Sequence, residues 1–234
     1  MKSQRLTVGV LGGMGPEATV DFMAEVLAAT PANEDQDHLR MLVDQNPQLL
    51  SRQLALAGKG GSPGPQLAAM ARGLEKGGAD FLVMPCNTAH AYQADIVAAT
   101  TIPLVSIIDE TVAECSGAEQ VGLLATVGCF DAGVYQSAFA AAGQTLIMPT
   151  AAELEEFTRL VAAIKLGKQG EDIANAMATL ANALVGRGAQ VVVAGCTEIP
   201  LVLDASMLAV PLISSTAVLA RSTVALALGE RPLG

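Results

Sequence analysis

Two cysteines stand where buried strands would run out. Cys86 closes "GADFLVMPCNT" (78–88) and Cys196 closes "GAQVVVAGCTE" (188–198), stretches that align without a gap and place the thiols 110 residues apart. Each thiol precedes small polar or acidic residues, Asn87 and Thr88 in one case, Thr197 and Glu198 in the other. A lone buried cysteine behaves as a small hydrophobe. Two in matching places suit a different task, because inverting a carbon stereocentre requires one proton to leave one face and another to arrive at the opposite face. Two groups of one type, one deprotonated and one protonated, serve both directions by exchanging roles. A thiol fits this work since its ordinary pKa of roughly 8.5 falls beside a cation or a helix start. Each thiol precedes a helix-compatible segment whose first N–H groups carry partial positive charge. Asn87, Thr88 and Thr197 offer donors to a carboxylate in the same place.

The elements that must hold these thiols follow from periodicity. Strand-like runs such as "LTVGVLGG", "ADFLVMP", "VGLLATVG" and "QVVVAG" alternate with stretches of helical period, including "PEATVDFMAEVLAAT" and "EDIANAMATLANALVGRG". Apolar strands alternating with helices imply parallel sheets covered on both faces, an α/β fold. The thiol repeat is also part of a longer one. "VGVLGGMG" at 8 matches "VGLLATVG" at 121, and "IPLVS" at 102 matches "VPLIS" at 210, so three ordered blocks recur at offsets of 113, 110 and 108. The expectation is two pseudosymmetric lobes, each a parallel sheet flanked by helices: residues 1–108 with 215–234, and residues 109–214. The last helical stretch, "STAVLARSTVALALGE", returns to the first lobe, and "GKGGSPGPQ" (58–66) reads as a surface loop. Ligands of open α/β sheets bind beyond the carboxyl ends of the strands. With the lobes facing each other about a pseudo-twofold, both thiols would approach one cleft.

Other chemistries are open to the same residues. Four cysteines in 234 residues, at 86, 115, 129 and 196, have neither the density of a disulfide scaffold nor the paired spacing of a zinc site. Reduced thiols and no metal are expected. His90, four residues after Cys86, would make a Cys–His dyad for hydrolysis, which leaves Cys196 without a role; a hydrogen-bonded structural histidine is the simpler reading. His38 reads as a loop anchor, Cys115 as packing, and Cys129 as a small residue lining the cleft. Glu198 either orients a neighbour of Cys196 or caps a helix. "GGMG" (12–15) lacks the full dinucleotide fingerprint and fits close approach of the backbone to a small ligand.

Composition narrows the partners. At 51% hydrophobic and 15% charged residues, with no apolar run near the roughly 18 residues of a membrane span, the chain reads as a globular cytoplasmic protein with no membrane partner. Its short N-terminal apolar run is β-branched and enters glycines, which fits a first strand rather than a signal peptide. A net charge of −10 with no Trp, 2 Tyr and 5 Phe argues against nucleic acid.

Taken together, "GVLGGMGPEAT", "DQDH", "NPQLLSR", "GADFLVMPCNTAH", "GLLAT", "IKLG" and "GCTEIPL" resemble the aspartate/glutamate racemase superfamily, most of all its cofactor-independent aspartate and broader-specificity amino-acid racemases. The resemblance implies a two-lobed α/β homodimer that racemises a small-molecule amino acid, aspartate or glutamate, without pyridoxal phosphate or any other cofactor. It implies Cys86 and Cys196 as the acid/base pair. Asn87, Thr88, Thr126 and Thr197, with the turn Gly12-Gly13-Met14, would hold the amino and carboxylate groups. Arg52 and Lys165, otherwise ordinary surface cations, would take a side-chain carboxylate, Arg52 with bidentate geometry, and Glu198 would line the same site. Gly12-Gly13 and Cys196-Thr197-Glu198 stand where dedicated glutamate racemases have Asp-Ser and Cys-Thr-His, which favours the aspartate branch. Cys129 and Ser214 replace a Thr and an Asp common among relatives. The rival readings are another superfamily chemistry, such as cis–trans isomerisation of a dicarboxylate like maleate, and a two-lobed amino-acid-binding protein without catalysis.

Overall fold

The computed structural model describes residues 5–233. The chain separates into two compact units, one running up to Glu110 and resuming at Thr216, the other Thr111–Ser215. The first unit contains β1 (Val8–Gly12), α1 (Pro16–Ala29), β2 (Met41–Gln45), α2 (Arg52–Leu56), α3 (Gly64–Lys76), β3 (Phe81–Val83), α4 (Gln93–Val97) and β4 (Leu104–Val105). After α5 (Ile107–Glu114) come β5 (Gln120–Leu124), α6 (Val127–Ala132), α7 (Val134–Ala141), β6 (Thr145–Ile147), α8 (Ala151–Ile164), α9 (Glu171–Gly186), β7 (Val191–Ala194) and β8 (Leu212–Ser214). Then α10 (Ser215–Ala227) rejoins the first unit, where the Leu6 N–H donates to the Ala227 carbonyl at 3.0 Å.

Each unit is a four-stranded parallel sheet, and the two strand orders correspond: β2-β1-β3-β4 and β6-β5-β7-β8. The first and third strands of each set are interior, and sequence explains why. β1, β3 and β7 are buried at every residue, and β5 at every residue but its first, whereas β2 and β6 are only partly covered. Strands hydrogen-bonded on both sides and covered by helices on both faces have no use for polar residues, hence the runs of Val, Leu and Gly.

The repeat extends further than the three sequence blocks. The core faces of α3 and α9 present Leu67, Met70, Ala71, Leu74 and Met177, Leu180, Ala181, Leu184, one helical stripe repeated at the same 110-residue offset. Both helices end at a glycine with positive φ, Gly78 (93°) and Gly188 (102°), and in both the alanine after it donates its N–H back to the stripe's last leucine at 3.1 Å. These leucines press against the interior strands. A Cβ built on Gly9 of β1 would lie 2.7 Å from Leu82 Cδ2, 2.9 Å from Ala79 Cβ and 3.2 Å from Leu74 Cβ. On Gly122 of β5 it would lie 3.0 Å from both Ala189 Cβ and Leu184 Cβ. The glycines let the helix close on β1 and β5, the strands that pair with β3 and β7, the two that lead to the thiols. The stretch 58–66 is an exposed loop only at its start: Gly64 already begins α3, with Pro65 in the first turn, where its fixed φ and missing N–H cost nothing.

Close contact at these glycines generates a stability prediction. Gly9→Ala is expected to lose about 1–3 kcal/mol in urea unfolding, since the neighbours that must shift are core side chains. Gly73→Ala, at an exposed site of α3 with open space around it, is expected to gain about 0.5–1 kcal/mol. Equal effects at the two sites would contradict the packing described.

Candidate active site

In the first unit, β3 ends at Val83 and the chain turns through Met84 and Pro85, so that the Cys86 N–H donates to the Met84 carbonyl at 2.7 Å. Cys86 is 7% exposed and shares an apolar cluster with Leu11, Met14, Leu82, Met84 and Ala89. Asn87 and Thr88 follow, both buried, and Thr88–Tyr92 is a 3-10 turn that leads into α4. The helix-compatible segment after the thiol is therefore a 3-10 turn followed directly by the short α4. The second thiol is followed only by the 3-10 turn Ile199–Leu201, around Pro200. Any helix-start field at either sulfur is correspondingly small, because few peptide dipoles are aligned.

His90 sits at the centre of the first turn. Its Nε2 accepts the Ile107 N–H at 3.2 Å, which places the ring proton on Nδ1, and Nδ1–H donates to the Cys86 carbonyl at 2.9 Å. Burial lowers its pKa to about 4, against the opposing effects of the Cys86 carbonyl and the Asp109 charge. With both ring nitrogens occupied and the ring neutral at pH 7, His90 clamps the Cys86 loop to the start of α5 and is not placed to take the thiol proton. This removes the Cys–His dyad.

The glycine turn lies at the end of β1. Gly13, at φ 94°, donates its N–H to Thr19 Oγ1 at 2.9 Å, and Thr19 Oγ1 in turn donates to the Gly15 carbonyl at 3.1 Å. A Cβ on Gly13 would lie 2.4 Å from the backbone carbon of Asn46, so approach of the chain's own next loop already requires the glycine. Met14 is buried in the core cluster, which leaves its backbone rather than its side chain to meet a ligand. Arg52 opens α2 behind the Ser51 cap, which accepts the Leu54 N–H at 3.3 Å; its Nη1 donates to the Leu50 carbonyl at 3.2 Å. Burial raises the Tyr92 phenol while the Arg52 charge opposes that rise.

In the second unit, β7 ends at Ala194 and Gly195 leads into Cys196, 6% exposed. Thr126 caps α6, its hydroxyl accepting the Cys129 N–H at 3.3 Å. Thr197 and Glu198 are buried. The Cys196 thiol donates to Glu198 Oε2 at 3.0 Å, the Thr197 hydroxyl donates to the same oxygen at 3.3 Å, and Lys165 Nζ lies 3.2 Å from Glu198 Oε1. Lys165 caps the C-terminus of α8, a helix begun by the Thr150–Glu153 capping box and braced by two 2.8 Å bonds from Arg187 to Glu153. Lys165, Glu198, Thr197 and Cys196 therefore form one connected group. Burial, then the charge and hydrogen bond of the Glu198 carboxylate, push the Cys196 thiol well above its ordinary pKa; the Glu198 N–H and Lys165 act in the opposite sense.

Two supports escaped the sequence. Ser215 donates its hydroxyl to the Ala194 carbonyl at 2.8 Å, tying down the end of β7 two residues before the thiol. The buried Tyr135 hydroxyl bonds Ser215 and Thr111 behind it. Nothing in the sequence marks which carbonyl a Ser or Tyr side chain will reach. The remaining cysteines serve as core: Cys129 is 1% exposed, and burial, with Glu114 nearby, pushes Cys115 up to about 12. No cystine joins any of the four cysteines, and no group of three metal-ligating side chains occurs among the described residues. Among those residues no helix is long and apolar enough to cross a membrane.

Residues 11–223 match the family described as Asp/Glu/Hydantoin racemase. The broad specificity amino-acid racemase RacX of Bacillus subtilis is 30% identical over 225 residues, covering 93% of this chain and 96% of that protein. Among solved structures, the Picrophilus torridus aspartate racemase superposes with a TM-score of 0.82 at 26% identity, covering 95% of this chain and 94% of that one. The glutamate racemase of Francisella tularensis, in complex with D-glutamate, shares the fold with a TM-score of 0.65 at 17% identity, over 94% of this chain and 80% of that one.

The His90 clamp has a pH signature. Its folded pKa of about 4 lies below the unfolded value of roughly 6.5, so the unfolded chain binds the extra proton between those values. Stability is therefore whole above pH 6.5 and falls as pH drops toward 4, by on the order of 3 kcal/mol from this group. Urea unfolding at pH 7 and pH 4.5 is expected to show His90→Gln less stable than the wild type at pH 7, with the gap narrowing at pH 4.5. A gap independent of pH contradicts the neutral clamp.

Proposed function

Because this chain belongs to the Asp/Glu/Hydantoin racemase family, we propose that it racemises an amino acid, aspartate or glutamate foremost, with Cys86 and Cys196 as acid and base and with no cofactor. The observation that carries the reading is correspondence: each thiol follows the third strand of an equivalent parallel sheet, and each is bordered by buried polar side chains.

In this reading one sulfur acts as thiolate and takes the α-proton, breaking Cα–H and forming S–H. The electron pair spreads into the substrate carboxylate. The opposite thiol then gives its proton to the other face, forming the new Cα–H and leaving a thiolate. Net proton count is unchanged, and the thiols end with roles exchanged. Asn87, Thr88, Thr126 and Thr197, beside the Gly12-Gly13-Met14 turn, supply donors to the amino acid's carboxylate and acceptors for its ammonium. Arg52 is the cation assigned to a side-chain carboxylate. Lys165 serves a substrate only by sharing or leaving Glu198. The RacX relative supports testing neutral amino acids as well as acidic ones. A cytoplasmic homodimer is part of the proposal.

The test is chiral chromatography of individual L-amino acids incubated with the protein and no added cofactor. Aspartate or glutamate is expected to racemise. Cys86→Ser and Cys196→Ser are each expected to lose at least 10²-fold, the scale of general acid/base catalysis. Wild-type protein that binds amino acids without racemising any, or a serine variant that keeps full rate, overturns the proposal.

A further inference from the structure

We infer that Glu198 is a positioning residue for Cys196: its carboxylate accepts the S–H, aims the proton and keeps it on sulfur at rest, while Lys165 fixes the carboxylate that does so. The inference rests on the racemase reading and adds an order to it. Cys196 starts as the acid of the pair.

The geometry carries the argument. A thiol is a weak donor, and one 3.0 Å from a buried carboxylate oxygen is held in a single direction rather than left to rotate. The same oxygen accepts from Thr197, and the other oxygen meets Lys165, so the carboxylate is oriented at both ends. Glu198 and Lys165 are the charged groups that act on Cys196, with opposite signs. A thiolate forming beside Glu198 would meet a like charge in a water-poor site, which opposes loss of the proton; Lys165 softens that opposition. Such a thiol is suited to give its proton to a carbanion, a far stronger base than water, and unsuited to be the resting thiolate. In the first unit the buried histidine bonds the Cys86 carbonyl, so the two thiols have chemically distinct settings.

The test reads the thiol itself and needs no turnover. Alkylation of Cys196 by iodoacetamide at pH 8, followed on its peptide by mass spectrometry, tracks the thiolate fraction. Relative to wild type, Glu198→Gln is expected to react at least 10-fold faster, Lys165→Met at least 3-fold slower, and Cys86 at an unchanged rate in both. Thiolate absorbance at 240 nm, taken as the difference from the matching Cys196→Ser protein, gives the same ranking where the reagent does not reach the sulfur. Lys165 is half exposed, so its variant preserves the test if Glu198→Gln does not fold. Equal Cys196 rates and absorbance in all three proteins, or a slower Glu198→Gln, overturns the inference. An inactive wild type with this thiol ranking would instead overturn the racemase reading alone.

Discussion

A proton moves between heavy atoms only over hydrogen-bond distances, so a sulfur that is to take or give one must be held in place before the substrate arrives. In the proposed mechanism that requirement falls on both units. The strand leading to the thiol is bonded on both edges, β3 between β1 and β4, and β7 between β5 and β8. A helix stripe presses the neighbouring strand at a glycine, and the carbonyl at or just before the cysteine is pinned by one buried polar side chain, His90 in the first unit and Ser215 in the second. A buried backbone carbonyl left without such a donor would cost its full desolvation, so each pin stabilises the loop as well as aiming it.

Positioning and protonation are solved with different groups. His90 is held neutral by burial and works through its two hydrogen bonds, so it steadies the Cys86 loop across the neutral pH range without adding charge. Glu198 and Lys165 bring opposite charges to the second thiol, and their net effect is set by distance and burial: the carboxylate touches the sulfur, while the ammonium pairs with the carboxylate's other oxygen. The two halves of a repeat thus share a backbone scheme and diverge in electrostatics.

What the sequence made legible is whatever repeats or is periodic. The thiol blocks, the parallel α/β class and α1 and α9 follow from spacing alone, and the structure bears them out. The stripes of α3 and α9 agree in type at Ala71/Ala181 and Leu74/Leu184 but exchange Leu and Met at Leu67/Met177 and Met70/Leu180, and the residues between them differ, so block matching passes over them. The helical segments expected after the thiols begin as 3-10 turns of five and three residues, which helical periodicity does not distinguish from the start of a longer helix. The reach of Lys165 to Glu198 spans 33 positions and depends on where α8 ends, and the pins at His90 and Ser215 depend on single hydroxyl or imidazole groups in apolar surroundings. None of these leaves a periodic trace. The glycine turn shows the opposite difficulty: Gly13 stands out in sequence as a ligand-facing residue, yet approach of the Asn46 backbone already accounts for it.

The central claim is that two sulfurs work on opposite faces of a single α-carbon. Turnover of L-aspartate in deuterium oxide, stopped while conversion is still small, tests it directly by mass spectrometry of the separated enantiomers. Two opposed thiols predict a D-product carrying one solvent deuterium at Cα and a recovered L-substrate still protiated. A D-product that retains the original proton, or label entering the L-substrate as fast as the product forms, would mean that one group serves both faces and would contradict the account.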